Sequence, residues 1–341
     1  PEIFAAESER SVMAVEHILT PDGLTSEFTL RIPAGPGADG VSCVQTDAVD
    51  GALCMAVEYI ELNGPQGAYR MLNPQTPHQC SKTPEALEWD RAITSHIAKL
   101  ETECLRPVSA AEARSQLADG QTIIGSLMKT RVKKDSNDGS LVKLQARGVM
   151  DGPTWKGDEP RITHVLSPEA KRIILAEAAV EQRIVLIGDV SNAYPKSEWL
   201  QGDKNVFMRM FKGYERTDED GNPMVYEVTN PLFGAPPAGN CWEASLNATI
   251  DALGATKSLA LSSVFHVRTD GLTTRIGTIV DDMIVTLERS TAGRDLATFI
   301  MSHVSEAYGG EVRWDYDPTT FSFGGVQVVR DVPRCAVTMK I

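Results

Sequence analysis

The sequence predicts an α+β fold in which helices pack on one face of a mainly antiparallel sheet. Three observations carry this. From Leu166 onward the periodicities run helix, strand, helix, hairpin, helix, hairpin, an order that suits helices laid on an antiparallel layer. The run RIVLIGDV, ending at Val190, is short and almost wholly apolar, as a buried strand is. The stretch TTRIGTIVDDMIVTLE reads as two apolar strands joined by a tight turn at Val280–Asp282.

The elements follow in chain order. Residues 1–80 are rich in Gly, Pro and Asp, with short strand-like runs EFTLRI and ALCMAVEYIEL; they read as an N-terminal segment or linker without a motif. Behind a Thr83–Pro84 start, Leu87, Ile93, Ile97 and Leu100 recur at helical spacing. A hairpin follows over about residues 121–150, with its turn at Asn137–Gly139. In SPEAKRIILAEAAVEQ, Ser167 is the N-cap and Pro168 the first helical residue, and the helix leads into RIVLIGDV. A Pro/Gly-rich loop, PLFGAPPAGN, runs into a helix from Trp242 to about Leu253. Ser290 or Thr291 caps a helix whose Leu296, Ile300, Val304 and Tyr308 form one stripe, closed by Gly309-Gly310. A last hairpin, VRWDYDPTTFSFGGVQVVRD, brings the chain near its end.

Composition bounds the function. At 341 residues, 42% hydrophobic and 23% charged, the chain has the balance of an ordinary soluble globular protein. It holds no apolar run near the roughly 18 residues of a membrane span, so no membrane partner is expected. No secretory leader is apparent, and a chain that opens on Pro1 reads as a piece of something longer. The six cysteines (Cys43, Cys54, Cys80, Cys104, Cys241 and Cys335) are scattered without a CxxC pair. That excludes a disulfide framework or zinc site and suits a reducing, intracellular compartment, cytoplasmic or nuclear. The net charge of -13 argues against nucleic acid at first sight. Its distribution reverses the argument: KTRVKKDSNDGSLVKLQAR, residues 129–147, is a basic island in an acidic chain. A solvated charged hairpin is the alternative.

Asp189 ends a buried strand, and Asp281 and Asp282 sit at a hairpin tip between apolar strands. If the two strands are sheet neighbours, three carboxylates converge on one edge. Such anions repel one another unless cations lie between them. Oxygen-only ligation suits Mg2+ or Mn2+. Two such ions, about 3.5–4 Å apart, can activate an attacking hydroxyl and steady a leaving pyrophosphate. Taken singly, the aspartates could equally be a turn pair and a helix cap.

The residues around them resemble the reverse transcriptase of copia-type LTR retrotransposons, and more distantly that of retroviruses. Asp189-Val190-Ser191-Asn192-Ala193-Tyr194 resembles the family's Asp-Val-x-x-Ala-Phe/Tyr, and Ile279-Val280-Asp281-Asp282 its Tyr-Val-Asp-Asp. Between them NVFMRMFKGYE and LFGAPPAGNCW are similar to "vYMxxPxGf" and "LYGLKQAPRxW". LQARG resembles the end of "KARLVARG", LSPEAKRIIL resembles "FSPVxxxxxIRxLL", and FSFGGVQV resembles "FLGIEI". With EWDRAI matching "WxxAMxxE" in Trp89 and Ala92, the resemblance covers about residues 86–332 in order.

The resemblance implies a polymerase of fingers and palm over 81–341: a basic fingers hairpin at about 121–150, and palm segments at about 166–204 and 243–341. No thumb-like segment precedes Ile341. It implies that Asp189, Asp281 and Asp282, with the Val190 carbonyl, hold two Mg2+ (or Mn2+) ions. Ala193 and Tyr194 would lie at the incoming nucleotide, with Tyr194 excluding a 2′-hydroxyl. Lys133, Lys143 and Arg147, with Lys134, would face the triphosphate of a dNTP. Val280, Gly324 and Gly325 would support primer and template. The implied partners are an RNA or DNA template with its primer, dNTPs and other parts of a pol polyprotein, inside virus-like particles where these form. Two departures stand out: Pro237 replaces the family Gln, and Ile279 replaces the usual Tyr. They leave open an alternative, a decayed or domesticated palm that binds nucleic acid or protein without catalysis. A nucleotide cyclase is a remoter reading, since no GGDEF-like signature is present.

Overall fold

The run Ile184–Ile187 offers no polar position to water, and the protein covers it on both faces. In this computed structural model the described residues are 14–19, 26–31, 58–117, 121–135, 138–155, 163–200, 205–269 and 271–340. Much of the N-terminal segment, including Cys43 and Cys54, and Asn137 of the expected hairpin turn lie outside them. The chain divides into two compact units, 1–98 with 128–148 and 99–127 with 149–341.

In the first unit, strands β1 (Ala14–Leu19) and β2 (Ser26–Arg31) pair antiparallel, as do β3 (Glu58–Gly64) and β4 (Gly67–Asn73). The short helix α1 (Pro77–Cys80) follows, then α2 (Ala86–Glu103), whose length carries it past the unit's boundary. Trp89 of α2 is fully buried with Leu62, Met71, Cys80 and Val132. Val132 belongs to β6 (Ser126–Lys134), which forms a two-stranded sheet with β7 (Leu141–Met150). The Cys80 thiol lies 3.4 Å from the Thr130 hydroxyl in this core, consistent with a structural thiol.

Among the described residues the second unit holds two three-stranded sheets and a six-stranded one. In the first small sheet, β10 (Met224–Val228) lies between β5 (Leu105–Ser109) and β9 (Phe207–Arg209), and α3 (Ala110–Gln116) packs on it. The larger has six strands, all antiparallel, in the order β11 (Thr256–Lys257), β12 (Val264–Thr269), β13 (Leu272–Ile279), β14 (Asp282–Leu287), β8 (Ile184–Val190) and β15 (Val312–Tyr316).

Two of the sequence expectations are corrected here. Helices cover both faces of this sheet rather than one. Ile184 and Leu186 turn toward α5 (Ala238–Asp251) and α6 (Thr291–Ala307), in a core with Trp242, Leu246, Ile300 and Val304. Val185 and Ile187 turn toward α4 (Pro168–Val180) and a second small sheet of β16 (Thr320–Phe323), β17 (Val326–Asp331) and β18 (Ala336–Lys340), in a core with Ile174, Phe323 and Val328. The cause is the period of two along a strand: four consecutive apolar residues must find cover on both sides. Each such side chain contributes roughly 1.5–3 kcal/mol on burial.

The second correction concerns the last hairpin. Only its second half is one: β16 pairs with β17 about Gly324-Gly325, while VRWDY, as β15, adds to the free edge of β8. The chain turns between β15 and β16 at Asp317, whose φ is 47°, followed by Pro318, which has no N–H to give a ladder.

Elsewhere the local signals act as expected. The Ser167 hydroxyl accepts from the Ala170 N–H and Ser290 from Gly293, capping α4 and α6. Helix α5 begins at Ala238, four residues before Trp242, because Pro237 itself serves as its N-terminal cap residue. No described helix is long and apolar enough to cross a membrane.

Candidate active site

The register of β14 on β8 puts Asp282 directly opposite Asp189. Opposed residues of an antiparallel pair have Cα atoms about 4.5–5.5 Å apart, so side chains on one face are neighbours. Asp281 is held beside them: its carbonyl accepts from the Val190 N–H at 3.1 Å. Ile279 pairs with Asp282, which closes a tip of two residues, Val280 and Asp281. Val280 sits at φ 53°, a left-handed conformation that a β-branched residue rarely adopts. The indole Nε1 of Trp242 donates to the Val280 carbonyl at 2.6 Å and so anchors the tip from α5. On the other side of Asp189, Gly188 must lack a side chain, because a Cβ there would meet the Trp314 ring at 2.7 Å.

The charges of this edge interact. The Asp282 carboxyl is pushed up to about 6, first by burial, then by the Asp281 and Asp189 carboxylates beside it. The Gly324 N–H and the Arg313 guanidinium oppose that rise. Arg313 stands opposite Asp189 on β15. Among the described residues, no three His, Cys, Asp or Glu side chains are drawn together closely enough to hold a metal ion. The donor set nevertheless fits a hard divalent cation: this strand edge offers carboxylate oxygens, and burial first, then the neighbouring Asp281 and Asp189 charges, makes the Asp282 carboxylate costly without one.

The loop after β8 is tied down by polar contacts. Asn192, at φ 52°, donates to Glu103 at 2.9 Å. Lys196 donates to Glu311 at 3.0 Å and to the Tyr308 carbonyl at 3.2 Å. Ala193 is buried, and the half-buried Tyr194 ring meets Phe233 edge-on at 4.6 Å. Tyr194, Trp242 and Val280 share the walls of a small pocket with His164, Glu243 and Thr278. Glu243 accepts from both the backbone N–H and the ring of His164, at 2.9 and 3.0 Å.

A family model described as "Reverse transcriptase (RNA-dependent DNA polymerase)" matches residues 117–313, more than half of the chain. The chain belongs to the reverse transcriptase family. No curated protein matches it. Membership implies a nucleic-acid template, dNTPs and divalent metal ions, and the matched span includes Asp189, Tyr194, Asp281 and Asp282.

In this member of the family the glycines singled out by sequence, Gly324 and Gly325, form the turn between β16 and β17. Gly324 has φ 53°, and a Cβ on it would lie 2.3 Å from Ile279 Cδ1, so the turn lies hard against the end of β13. The basic residues belong to the first unit. Along β6, Met128, Thr130 and Val132 are buried, while Lys129, Arg131 and Lys133 alternate with them on the exposed face. Lys134 is also exposed. On β7, Lys143 and Arg147 are exposed, with Gln145 between them accepting from Arg131 Nε at 2.7 Å. That bond puts the cations of the two strands on one face. Pro237 is buried at the start of α5.

Sequence reasoning missed three residues of this neighbourhood. Arg313 gave no signal, being an ordinary charge on a short strand. Trp242 matched a family motif, but its indole bond to the hairpin tip lies in the fold alone. Lys171 could have been found, because it falls within the apolar face of α4 between Ala170 and Ile174.

Proposed function

We propose that the chain is a template-directed DNA polymerase, the reverse transcriptase part of a copia-type pol polyprotein. The six-stranded sheet would be its palm and the β6–β7 hairpin part of its fingers. The observation that carries the reading is the cross-strand pair Asp189–Asp282 with Asp281 at the adjoining tip. Three carboxylates at the end of strands buried on both faces are costly unless used.

In this reading the primer 3′-hydroxyl attacks the α-phosphorus of a dNTP. The new P–O bond forms as the bond to the bridging oxygen breaks, the hydroxyl proton is lost, and pyrophosphate leaves. Two Mg2+ or Mn2+ ions supply activation of the hydroxyl and neutralisation of the leaving group when bound. Asp189, Asp281 and Asp282, with the Val190 carbonyl, hold them. Ala193 and Tyr194 form the floor under the sugar, where the flat ring leaves no room for a 2′-hydroxyl. Lys133, Lys143 and Arg147 present positive charge to the triphosphate. Val280, Gly324 and Gly325 seat the primer end.

Primer extension on poly(rA)/oligo(dT) with Mg2+ or Mn2+ tests this, with Asp281→Asn as control. Metal-dependent extension that the control lacks is the expected result. Pro237 favours a second reading, because a Gln that would help hold nucleotide and template is replaced by a buried cap residue. Duplex binding without extension under either metal would select that non-catalytic module.

A further inference from the structure

The α4 face that packs on the sheet carries Ala170, Ile174, Leu175 and Ala178, and in the middle of it a lysine. Lys171 is 8% exposed. Lysine is almost never buried to that degree without a partner, since taking an ammonium from water is expensive. A Met or Leu would complete the apolar face at no such cost. The ammonium instead reaches across to β16–β17, where its Nζ donates to the Gly324 carbonyl at 3.0 Å.

Gly324 is joined to the carboxylate edge by its other polar group. Its N–H faces the Asp282 carboxyl and favours the charged form. Its Cα is packed so closely that an added Cβ would meet Ile279 Cδ1 at 2.3 Å and Lys171 Nζ at 3.3 Å. One residue thus has the Lys171 ammonium at its carbonyl, in the 324–325 peptide, and the Asp282 carboxyl at its N–H, in the 323–324 peptide. A cation on the C=O polarises the turn, and a charge-assisted hydrogen bond is about twice as strong as a neutral one.

We infer that Lys171 is a positioning residue, which clamps the Gly324–Gly325 turn against Asp282 and so fixes the height of that turn over the carboxylate edge. This rests on the reading above, in which the turn seats the primer 3′ end and Asp282 holds a metal ion. Lys171 itself touches no reacting atom. Its effect passes through the position of Gly324, and loss of it frees the turn, weakens the N–H bond to Asp282 and displaces the primer end.

The test compares the parent with Lys171→Met, Lys171→Arg and Gly324→Ala. Hydrogen exchange of the 320–328 segment and Mn2+ affinity are measured without primer or dNTP. In Lys171→Met, exchange at Gly324–Val326 is expected to quicken about tenfold or more, with α4 and β13 unchanged, and Mn2+ to bind several-fold more weakly. Lys171→Arg, which keeps charge and donor, restores most of both, and Gly324→Ala reproduces the Met phenotype. In extension assays the KM for primer–template rises more than the KM for dNTP. Should Lys171→Met fail to fold, Lys171→Gln carries the same comparison. Exchange unchanged at 320–328, or quickened equally throughout α4, would overturn the clamp. If the exchange result holds and no variant, nor the parent, extends a primer, the clamp stands and the polymerase reading falls.

Discussion

Asp189 and Asp282 stand opposite one another on β8 and β14. One strand register therefore fixes the spacing of two carboxylates, independent of any loop. The cost of that arrangement is measurable. The Asp282 carboxyl is raised to about 6 from an ordinary 3.8 by burial and its two anionic neighbours. Between those values the metal-free folded protein holds a proton that the unfolded chain has released, so stability falls as pH rises through that window and stays low above it. Asp282→Asn removes the effect. The variant should be more stable than the parent at pH 7, by on the order of 1–2 kcal/mol after allowing for solvent screening, and the gain should vanish below about pH 4. Urea titrations at several pH values check this. Adding Mn2+ should raise the midpoint of the parent and leave the variant unmoved.

The Trp242 indole bond to the Val280 carbonyl holds a tip whose backbone is strained. Trp242→Phe keeps most of the packing against Tyr308, whose ring is 5.0 Å away, and deletes the donor. We expect a loss of about 0.5–1.5 kcal/mol, the net worth of one hydrogen bond, with a fall in kcat larger than any change in the KM for dNTP. Denaturant midpoints and steady-state extension rates decide it. Equal activity in the variant would show that the tip keeps its shape unaided.

Tyr194 meets Phe233 edge-on at 4.6 Å, which fixes its ring plane. Tyr194→Val opens space under the sugar. Ribonucleotide incorporation should rise while use of dNTP is largely kept, measured as the rNTP/dNTP ratio of kcat/KM. An unmoved ratio in an active variant removes the gate assignment.

Lys143 and Arg147 share the exposed face of β7. If they neutralise triphosphate, Lys143→Ala and Arg147→Ala should each lower kcat by roughly 10²–10³, the loss typical of one positioned donor. If they grip template instead, duplex affinity falls and its salt slope drops by about one for each lost phosphate contact. Duplex Kd against salt, beside kcat and the KM for dNTP, separates the two. We expect the nucleotide effect to dominate.

Much of this arrangement was legible in the residues. The aspartates were conspicuous because Asp189 and the Asp281-Asp282 pair interrupt apolar runs whose strand residues are mostly buried. The caps of α4 and α6 were legible in Ser167 and Ser290. The two-sided cover of β8 was present in Ile184–Ile187 but went unread, since the order of helices along the chain does not say which face each one takes. The last hairpin was drawn too long, taking in VRWDY, because chain neighbours usually pair, whereas here the open edge of β8 captured that strand. Arg313 and Lys171 show a different limit. A charged residue carries the same letter exposed or buried, and only packing tells a solvated cation from one aimed at a carboxylate or a turn.

The strand that carries Asp189 has no face on which it can yield. Leu186→Ala and Ile187→Ala open cavities in different cores, yet each should cost about 2–5 kcal/mol and lower the melting temperature of the same site. Mn2+ binding, followed against temperature, should be lost together with the fold in both variants and survive unaltered below their transitions.

Strand β8 is a party wall between two rooms, and damage on either side brings it down. If the polymerase reading proposed above holds, this has a consequence for any copy of the gene that drifts. Three aspartates are a small target for random substitution, whereas the apolar residues on both sides of the wall are a large one, and mutations there act by melting rather than by chemistry. A copy that drifts without selection should therefore fall silent while its aspartates can still be read. It should also do so by degrees of temperature, working in the cold before it ceases to work at all. Counting intact aspartate motifs then overstates how many copies still function, and an inventory of the wall gives the better census.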